Sequence, residues 1–481
     1  MKKIIWIALI LCFAVVGLFA CAKKEKNPRP DPATCTHEDA LTSFITNRTE
    51  TPFAAEYTCS ICDRKITKSF GYEEIEIPLV EIEGDLDGIS KTDKVQAVIR
   101  YQSEELSFEK NATLKWQGDT SLEYPKKNYS VAMYDEEFNK KEKIVVKEEW
   151  GAQSKYCLKA NYLDPLGSRN LVLSDLYGEV AETRTVNDAF SNLPNGGSVD
   201  GFLILLYHNG QYVGLYNWNI PKDKWLFGMG SDEDAGEAVL CGESTLLNED
   251  TGITLNEAKK YYWEVEYCNE NYENTGDASW AEISFNKMLT YVKTTDPRVL
   301  KRHASEFLDM DRVIDVLLMT SVFAPDNIYK NLVWCTYDGV IWAPVLYDLD
   351  RTFGRDGSKL NGGLYFENFT DNPLYRILFI TFYEELSARY KALRKDLLTK
   401  DHILSLFSEK MKGVDERYFR SEFEKWEEAG WRKTLDQLPI DSFSSELSYV
   451  GEWLETRLTF CDSIFSRDAV SLNEDEIIVW E

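Results

Sequence analysis

The sequence predicts an α+β fold with a mixed β lobe first and a helical lobe last, preceded by a small Cys/His module. Three observations predict it. Residues 74–83, 95–101, 111–117, 128–134, 155–160, 202–207 and 211–218 are short runs rich in β-branched and aromatic side chains, several alternating apolar with charged. Residues 374–398, 402–411, 415–428 and 446–465 instead repeat apolar side chains at helical spacing. Between these regions, the apolar runs 332–337 and 340–347 flank Asp338-Gly339, a dipeptide whose left-handed preference closes a tight hairpin.

Composition narrows the function. With 44% hydrophobic residues, 13 Trp, 26 Tyr and 24 Phe, the 481-residue chain has apolar surface for a folded core and length for more than one domain. Its net charge of −27 predicts no general attraction to nucleic acid. A polyanion such as ATP then needs a local basic pocket and a metal ion, and a basic partner is favoured.

The first residues read as an export signal, with Lys2-Lys3 before an apolar run over 4–19. Leu18-Phe19-Ala20-Cys21 resembles a bacterial lipobox, in which Cys21 takes the lipid and anchors the chain to the cell membrane or outer membrane. The expected organisation is a signal peptide over 1–20, a flexible tether over 21–34, a Cys/His-rich module over 35–72, the main domain over 76–466 and an acidic tail over 467–481. Within the module, Cys35-Thr-His37 and Cys59-Ser-Ile-Cys62 have the spacing of a tetrahedral Cys3His zinc site. A disulfide, Cys59 to Cys62 or Cys35 to Cys62, is the competing reading for an exported protein. Either role is structural, because so short a segment lacks core enough to fold unaided.

In the main domain, strand 111–117 runs into Gly118-Asp-Thr-Ser121 and returns as 128–134, a layout suited to covering phosphates. Lys126 and Lys127 follow that turn and serve either phosphate or the solvation of the turn. Lys159 stands in an apolar strand, where an ammonium without a partner is costly. The helix expected over 167–182 offers Asp175, Glu179 and Glu182 as partners for it. His208-Asn-Gly210 reads as a hairpin turn. Residues 231–277 read as an acidic peripheral loop region, and 280–293 and 309–321 as helices. Asp326 and Asn331 then stand five apart, and Asp348 and Asp350 end the hairpin. Folding that ribbon back brings these oxygen donors together, as a hard cation such as Mg²⁺ requires. The loop 355–364 is expected to line the site.

The stretches Trp116-Gln-Gly-Asp-Thr-Ser121, Tyr124-Pro-Lys-Lys-Asn-Tyr129, Leu158-Lys-Ala-Asn-Tyr162 with Arg169-Asn170, Asn209-Gly-Gln-Tyr-Val-Gly-Leu-Tyr216 and Tyr347-Asp-Leu-Asp-Arg-Thr-Phe-Gly354 together resemble the spore-coat protein H (CotH) kinase family, an atypical branch of the protein-kinase-like fold. The resemblance implies ATP- and Mg²⁺-dependent phosphorylation of serine on a protein substrate, here expected to be basic and Ser-rich. It implies Asp326 as the residue orienting the substrate hydroxyl and Lys159 as the phosphate grip. Gly118, Ser121, Lys127, Lys159 and Arg169 become the nucleotide contacts, and Asn331, Asp348 and Asp350 the Mg²⁺ ligands. One position departs from the family: Ile220 stands where a Glu is expected. That departure motivates the alternative, a catalytically inactive surface lipoprotein acting in adhesion or envelope assembly.

Overall fold

The computed structural model describes residues 31, 33–36, 53–59, 61–62, 64–70, 76–184, 193–230, 236–242, 252–255, 263–269, 272, 275–325, 332–355, 373–414, 416–430 and 442–467. Asp326, Asn331, His37 and Cys21 lie outside them, as do the export segment and residues 356–372.

The chain folds as a mixed α+β protein. Strands β1 (Phe53–Thr58) and β2 (Lys65–Phe70) form an antiparallel hairpin of their own. The next strands are β3 (Leu79–Glu83), β4 (Val95–Gln102), β5 (Ser107–Gln117) and β6 (Asn128–Tyr134). After a two-residue ribbon, β7 (Ile144–Val145) with β8 (Ala152–Gln153), comes β9 (Lys155–Lys159), then helix α1 (Arg169–Glu182), β10 (Gly201–His208) and β11 (Gln211–Asn219). Seven of these strands close into a barrel in the order β10-β11-β9-β6-β5-β4-β3, antiparallel throughout except where β10 meets β3. Closure leaves no unpaired edge.

Side-chain alternation gives the barrel two different faces. Inward positions such as Leu114, Val131, Tyr156, Leu158 and Trp218 are fully buried. The intervening outward residues of β6 and the ends of β9 are half-buried or exposed. A row of polar side chains on β5, β6 and β9 therefore faces out of the barrel, where the rest of the chain covers it.

That cover begins with β12 (Ala238–Cys241) and β13 (Glu264–Cys268). Helices α2 (Ser279–Thr294), α3 (Pro297–His303) and α4 (Met310–Phe323) follow, then the hairpin of β14 (Leu332–Thr336) and β15 (Ala343–Leu346). Strand β12 lies between β13 and β14 in a four-stranded sheet, so part of the stretch 231–277 is built into a sheet and is not a peripheral loop. Its Ala-Val-Leu-Cys run is buried at every position. A strand covered on both faces carries no alternation to read. The hairpin forms, with Leu332 opposite Leu346 and Gly339 at φ +71°, but its last strand pair is Cys335 with Ala343, so residues 336–342 close it as a longer loop and not as the tight Asp338-Gly339 turn expected.

The C-terminal part is helical: α5 (Pro373–Thr381), α6 (Tyr383–Leu393), α7 (Lys400–Lys410), α8 (Glu416–Trp426) and α9 (Phe443–Phe465). The single helix expected over 374–398 is broken at Phe382, where neither Gly nor Pro marks the break. Helix α3 was missed although Asp296 caps it and Pro297 opens it, the usual start signal. Helix α9 is fixed at its start by Ser442 and Ser445, each side chain hydrogen-bonded to the other's backbone N–H.

Candidate functional site

A pocket of about 650 Å³ lies against the outward face of β5, β6 and β9. Strand register sets its floor: Thr113 pairs with Ala132 and Ala132 with Lys155, while Lys115 pairs with Ser130 and Ser130 with Cys157. Lys159 ends the floor where the 118–121 turn begins its roof. The opposite wall carries Lys222, Glu264, Glu266, Cys241 and the stretch from Tyr347 to Arg351 that leaves the hairpin.

The turn is shaped for close approach. Gly118 has φ +108°, and a Cβ there would stand 2.0 Å from Ser121 Oγ, so only glycine fits. Asn128 fastens the turn to the lysine strand: its Nδ2 donates to Ser121 Oγ at 3.2 Å, and its Oδ1 accepts from the Ala160 N–H at 2.7 Å. Gly118, Ser121 and Lys159 thus line one cavity.

Two lysines meet over one aromatic ring. Lys222 Nζ lies 4.4 Å and Lys159 Nζ 5.9 Å from the centroid of Tyr347. Burial acts most strongly on Lys159 and lowers its pKa, but the fields of Tyr347, Cys157 and Asp348 reverse this and leave it raised. For Lys222 the opposing groups are Cys241, Tyr347 and Glu266, and the net shift is well upward. Glu266 Oε1 holds Lys222 Nζ at 2.7 Å, whereas among the described residues no carboxylate forms an ion pair with Lys159.

None of the acids expected to pair with Lys159 does so, because α1 presents them to the helical region. Asp175 takes Lys410 at 2.5 Å, Glu179 takes His402 at 2.5 Å, and Glu182 is exposed. Glu264 and Glu266 of β13 line the pocket in their place.

Asp348 and Asp350 both line the cavity. Asp348 sits at φ +57°, a backbone conformation that a non-glycine residue holds only when its surroundings impose it. Asn170 helps to impose it, its Oδ1 accepting from the Leu349 N–H at 3.2 Å. Two carboxylates in a pocket with lysines are the hard-oxygen chemistry that Mg²⁺ prefers. The pairing of Leu332 with Leu346 starts β14 beside the strand end that leads into Asp348.

Two expected nucleotide contacts stand elsewhere. Arg169 is fully buried and does not line the pocket; its guanidinium binds Asp164 at 2.5 Å and Glu446. Its neighbour Asn170 lines the pocket instead, since consecutive helix residues point about 100° apart. Lys127 donates to Leu122 O and lies 5.1 Å from the Trp116 ring centroid, while Lys126 is the lysine in the cavity wall. Arg355, at the start of the loop expected to line the site, is buried against Glu446. Ile220 is 2% exposed, with its N–H donating to Asp200 O. Sequence reasoning missed Lys222, Glu266, Asn128 and Asn170; the last two lay within motifs already singled out.

The pocket inverts the charge of the protein, because nine basic side chains line it against six acidic ones among the described residues. A local excess of positive charge in a chain of −27 is what a polyanionic ligand needs.

The model of the family described as CotH kinase protein matches residues 114–461, and the chain belongs to that family. The match begins in β5 and ends in α9, so it spans the pocket floor, the hairpin and the helical region. Family membership makes this a kinase-related protein, consistent with a kinase-like fold. No curated protein matches the chain.

A second cluster stands apart from the pocket. The sulfurs of Cys35, Cys59 and Cys62 lie within 4.8 Å of one another, with Cys59 and Cys62 in the turn joining β1 to β2. Cys35 Sγ and Cys59 Sγ are 3.7 Å apart, well beyond a disulfide bond of about 2.05 Å. Three sulfurs at this spacing can hold one metal ion.

Proposed function

We propose that this protein is an exported, lipid-anchored CotH-like kinase that transfers the γ-phosphoryl group of ATP to a serine hydroxyl of a protein substrate, using Mg²⁺. The observation that carries this reading is the meeting of the 118–121 turn, Lys159, Lys222, Asp348 and Asp350 in one basic pocket. Such transfer needs little covalent chemistry from the protein and depends on positioning and on offsetting charge. The backbone N–H groups of the turn and the two ammoniums hold the phosphate oxygens. Asp348 and Asp350 hold Mg²⁺ with Asn331, and Asp326 orients the incoming hydroxyl. Mg²⁺ in that position would offset charge as the bond to the leaving phosphate lengthens.

Ile220 stands where the family's Glu is expected; Glu266 of β13, 2.7 Å from Lys222 Nζ, supports the kinase reading by bringing another carboxylate to the pocket. Attachment through Cys21 would keep the kinase at the membrane surface, and the acidic protein would favour a basic, Ser-rich substrate and no nucleic acid. The full chain incubated with labelled ATP and Mg²⁺ should label itself or such a substrate, and Asp348→Asn and Asp326→Ala should each lower transfer at least about 10³-fold, roughly 4 kcal/mol of barrier. Equal transfer by wild type and Asp348→Asn would sink the reading. Binding of ATP by the wild type with no transfer would favour the adhesion module.

For the Cys/His module the proposal is one structural Zn²⁺ on Cys35, Cys59, Cys62 and His37. Purified protein should release about one zinc per chain on thiol modification, in line with a four-ligand site, and Cys59→Ser should purify without it.

A further inference from the structure

Lys126 is the pocket residue that the mechanism leaves unexplained. It follows Pro125 on the arm that returns from the 118–121 turn to β6, and only 4% of its side chain is exposed. Its ammonium donates to Leu215 O at 2.7 Å and to Glu422 Oε2 at 2.8 Å, and stands 4.7 Å from the centroid of the Tyr216 ring. An ammonium has three N–H groups, and these two acceptors take two of them. The side chain nonetheless forms part of the cavity wall.

The partner comes from the far end of the chain. Glu422 lies on α8, and its other oxygen accepts from the Leu215 N–H and from Tyr212 OH at 3.1 Å. One carboxylate therefore fastens α8 to barrel strand β11 and to the arm of the turn. Gly214 makes room for it, since a Cβ there would stand 2.5 Å from Glu422 Oε1 and 2.8 Å from Lys126 Cε. A second contact runs alongside: Tyr124 stacks on Tyr162 with centroids 5.1 Å apart, and Tyr162 meets Trp426 of α8 edge-on at 6.4 Å.

A buried ion pair can hold two elements together, but apolar residues of similar volume often do so as well. Unlike the Arg169 group, this pair has its lysine in the wall of a basic pocket beside a phosphate-facing turn, where the ammonium can also meet a ligand. We propose that Lys126 is a further cation for the polyphosphate of the nucleotide, and that Glu422 is its positioning residue, so that helix α8 sets nucleotide affinity. This rests on the kinase reading of the same pocket. Burial lowers the pKa of Lys126, and Glu422 and, more weakly, Asp164 push back against that, leaving a net downward shift. Without Glu422 the ammonium would lose its proton at a lower pH still.

The test uses calorimetric titration of the full chain with Mg²⁺-ATP and with inorganic tripolyphosphate. The double variant Lys126→Met/Glu422→Leu removes both charges and keeps apolar volume. It should melt within a few degrees of wild type yet bind both ligands about 10- to 100-fold more weakly. Glu422→Gln should bind more weakly than wild type, with a loss that grows as pH rises. Should the double variant fail to fold, this pH profile decides. Unchanged affinity in the folded double variant, or a Glu422→Gln deficit that does not change with pH, would overturn the proposal and leave the pair purely structural. Wild type that binds neither ligand would overturn the kinase reading, and this inference with it.

Discussion

Two groups of charge, one tied to the helical region through Glu446 and the other carried by the strands around the pocket, behave in opposite ways. Around Arg169, four charged side chains are sealed together: Asp164 and Glu446 take Arg169, and Glu446 also takes Arg355, with every member at most 5% exposed. In the pocket, Lys159 and Lys222 share the face of Tyr347 and only Lys222 has an ion-pair partner among the described residues. Paired and buried charge holds α1, α9 and the chain after the hairpin together. Charge that is gathered, wetted and incompletely paired is chemistry waiting for a ligand. Sequence motifs do not separate the two, since Arg169 and Lys159 both lie in stretches shared with the family.

Breaking the sealed group should have the largest effect on stability. Glu446→Ala leaves two guanidiniums buried without their carboxylate and should cost about 3–5 kcal/mol in denaturant unfolding. A loss under about 1 kcal/mol would mean that the group is not sealed in solution. Glu446 also predicts a pH signature. Burial raises its pKa, but Arg169 and Arg355 outweigh burial and leave it lowered in the folded protein. A lowered carboxylate gives stability that is fully present above its unfolded value of about 4.3 and is lost as pH falls through the folded value. The unfolding midpoint of wild type should therefore drop on acidification below about 4.3 more steeply than that of Glu446→Gln.

The pocket should show the reverse pattern. Lys159→Met should lower the efficiency of transfer about 100-fold, near 2.7 kcal/mol, with the melting temperature almost unchanged. A melting temperature that falls as far as that of Glu446→Ala would place Lys159 with the structural charges. The smallest change is expected from Lys127→Ala. Because Lys127 donates to Leu122 O and does not itself line the cavity, nucleotide affinity should stay within about twofold, below roughly 0.5 kcal/mol. A tenfold loss would return it to the phosphate contacts.

Much of the fold was legible. The barrel strands β4, β6, β9, β10 and β11 fall within about two residues of the runs read from alternation, since one face of each packs inside the barrel. The hairpin around Asp338-Gly339 followed from turn chemistry, though not its loop length. What escaped were β12, buried on both sides, β13, too short to stand out in its acidic stretch, the break at Phe382, and α3 despite its Asp-Pro start. The site was legible in part. Gly118, Ser121, Lys159, Asp348 and Asp350 line the pocket as the motifs suggested; Glu266 lies in a stretch with no motif, and Lys222 ends the family stretch in which only Ile220 drew notice.

By itself the sequence determined most of the barrel strands, most of the helices, the turns at Gly118 and Gly339, and the family, because these depend on residues near one another or in a fixed order. Only the tertiary structure decided which charges meet. Lys126 finds Glu422 across 296 residues, Lys222 finds Glu266 from a neighbouring sheet, and Arg169 turns into the core while Asn170 turns to the pocket. Coulomb energy depends on distance and burial, not on separation along the chain. The barrel, closing on itself, turns its polar outer face toward β13 and the hairpin, and it is this packing that makes a pocket of the 118–121 turn and Lys159.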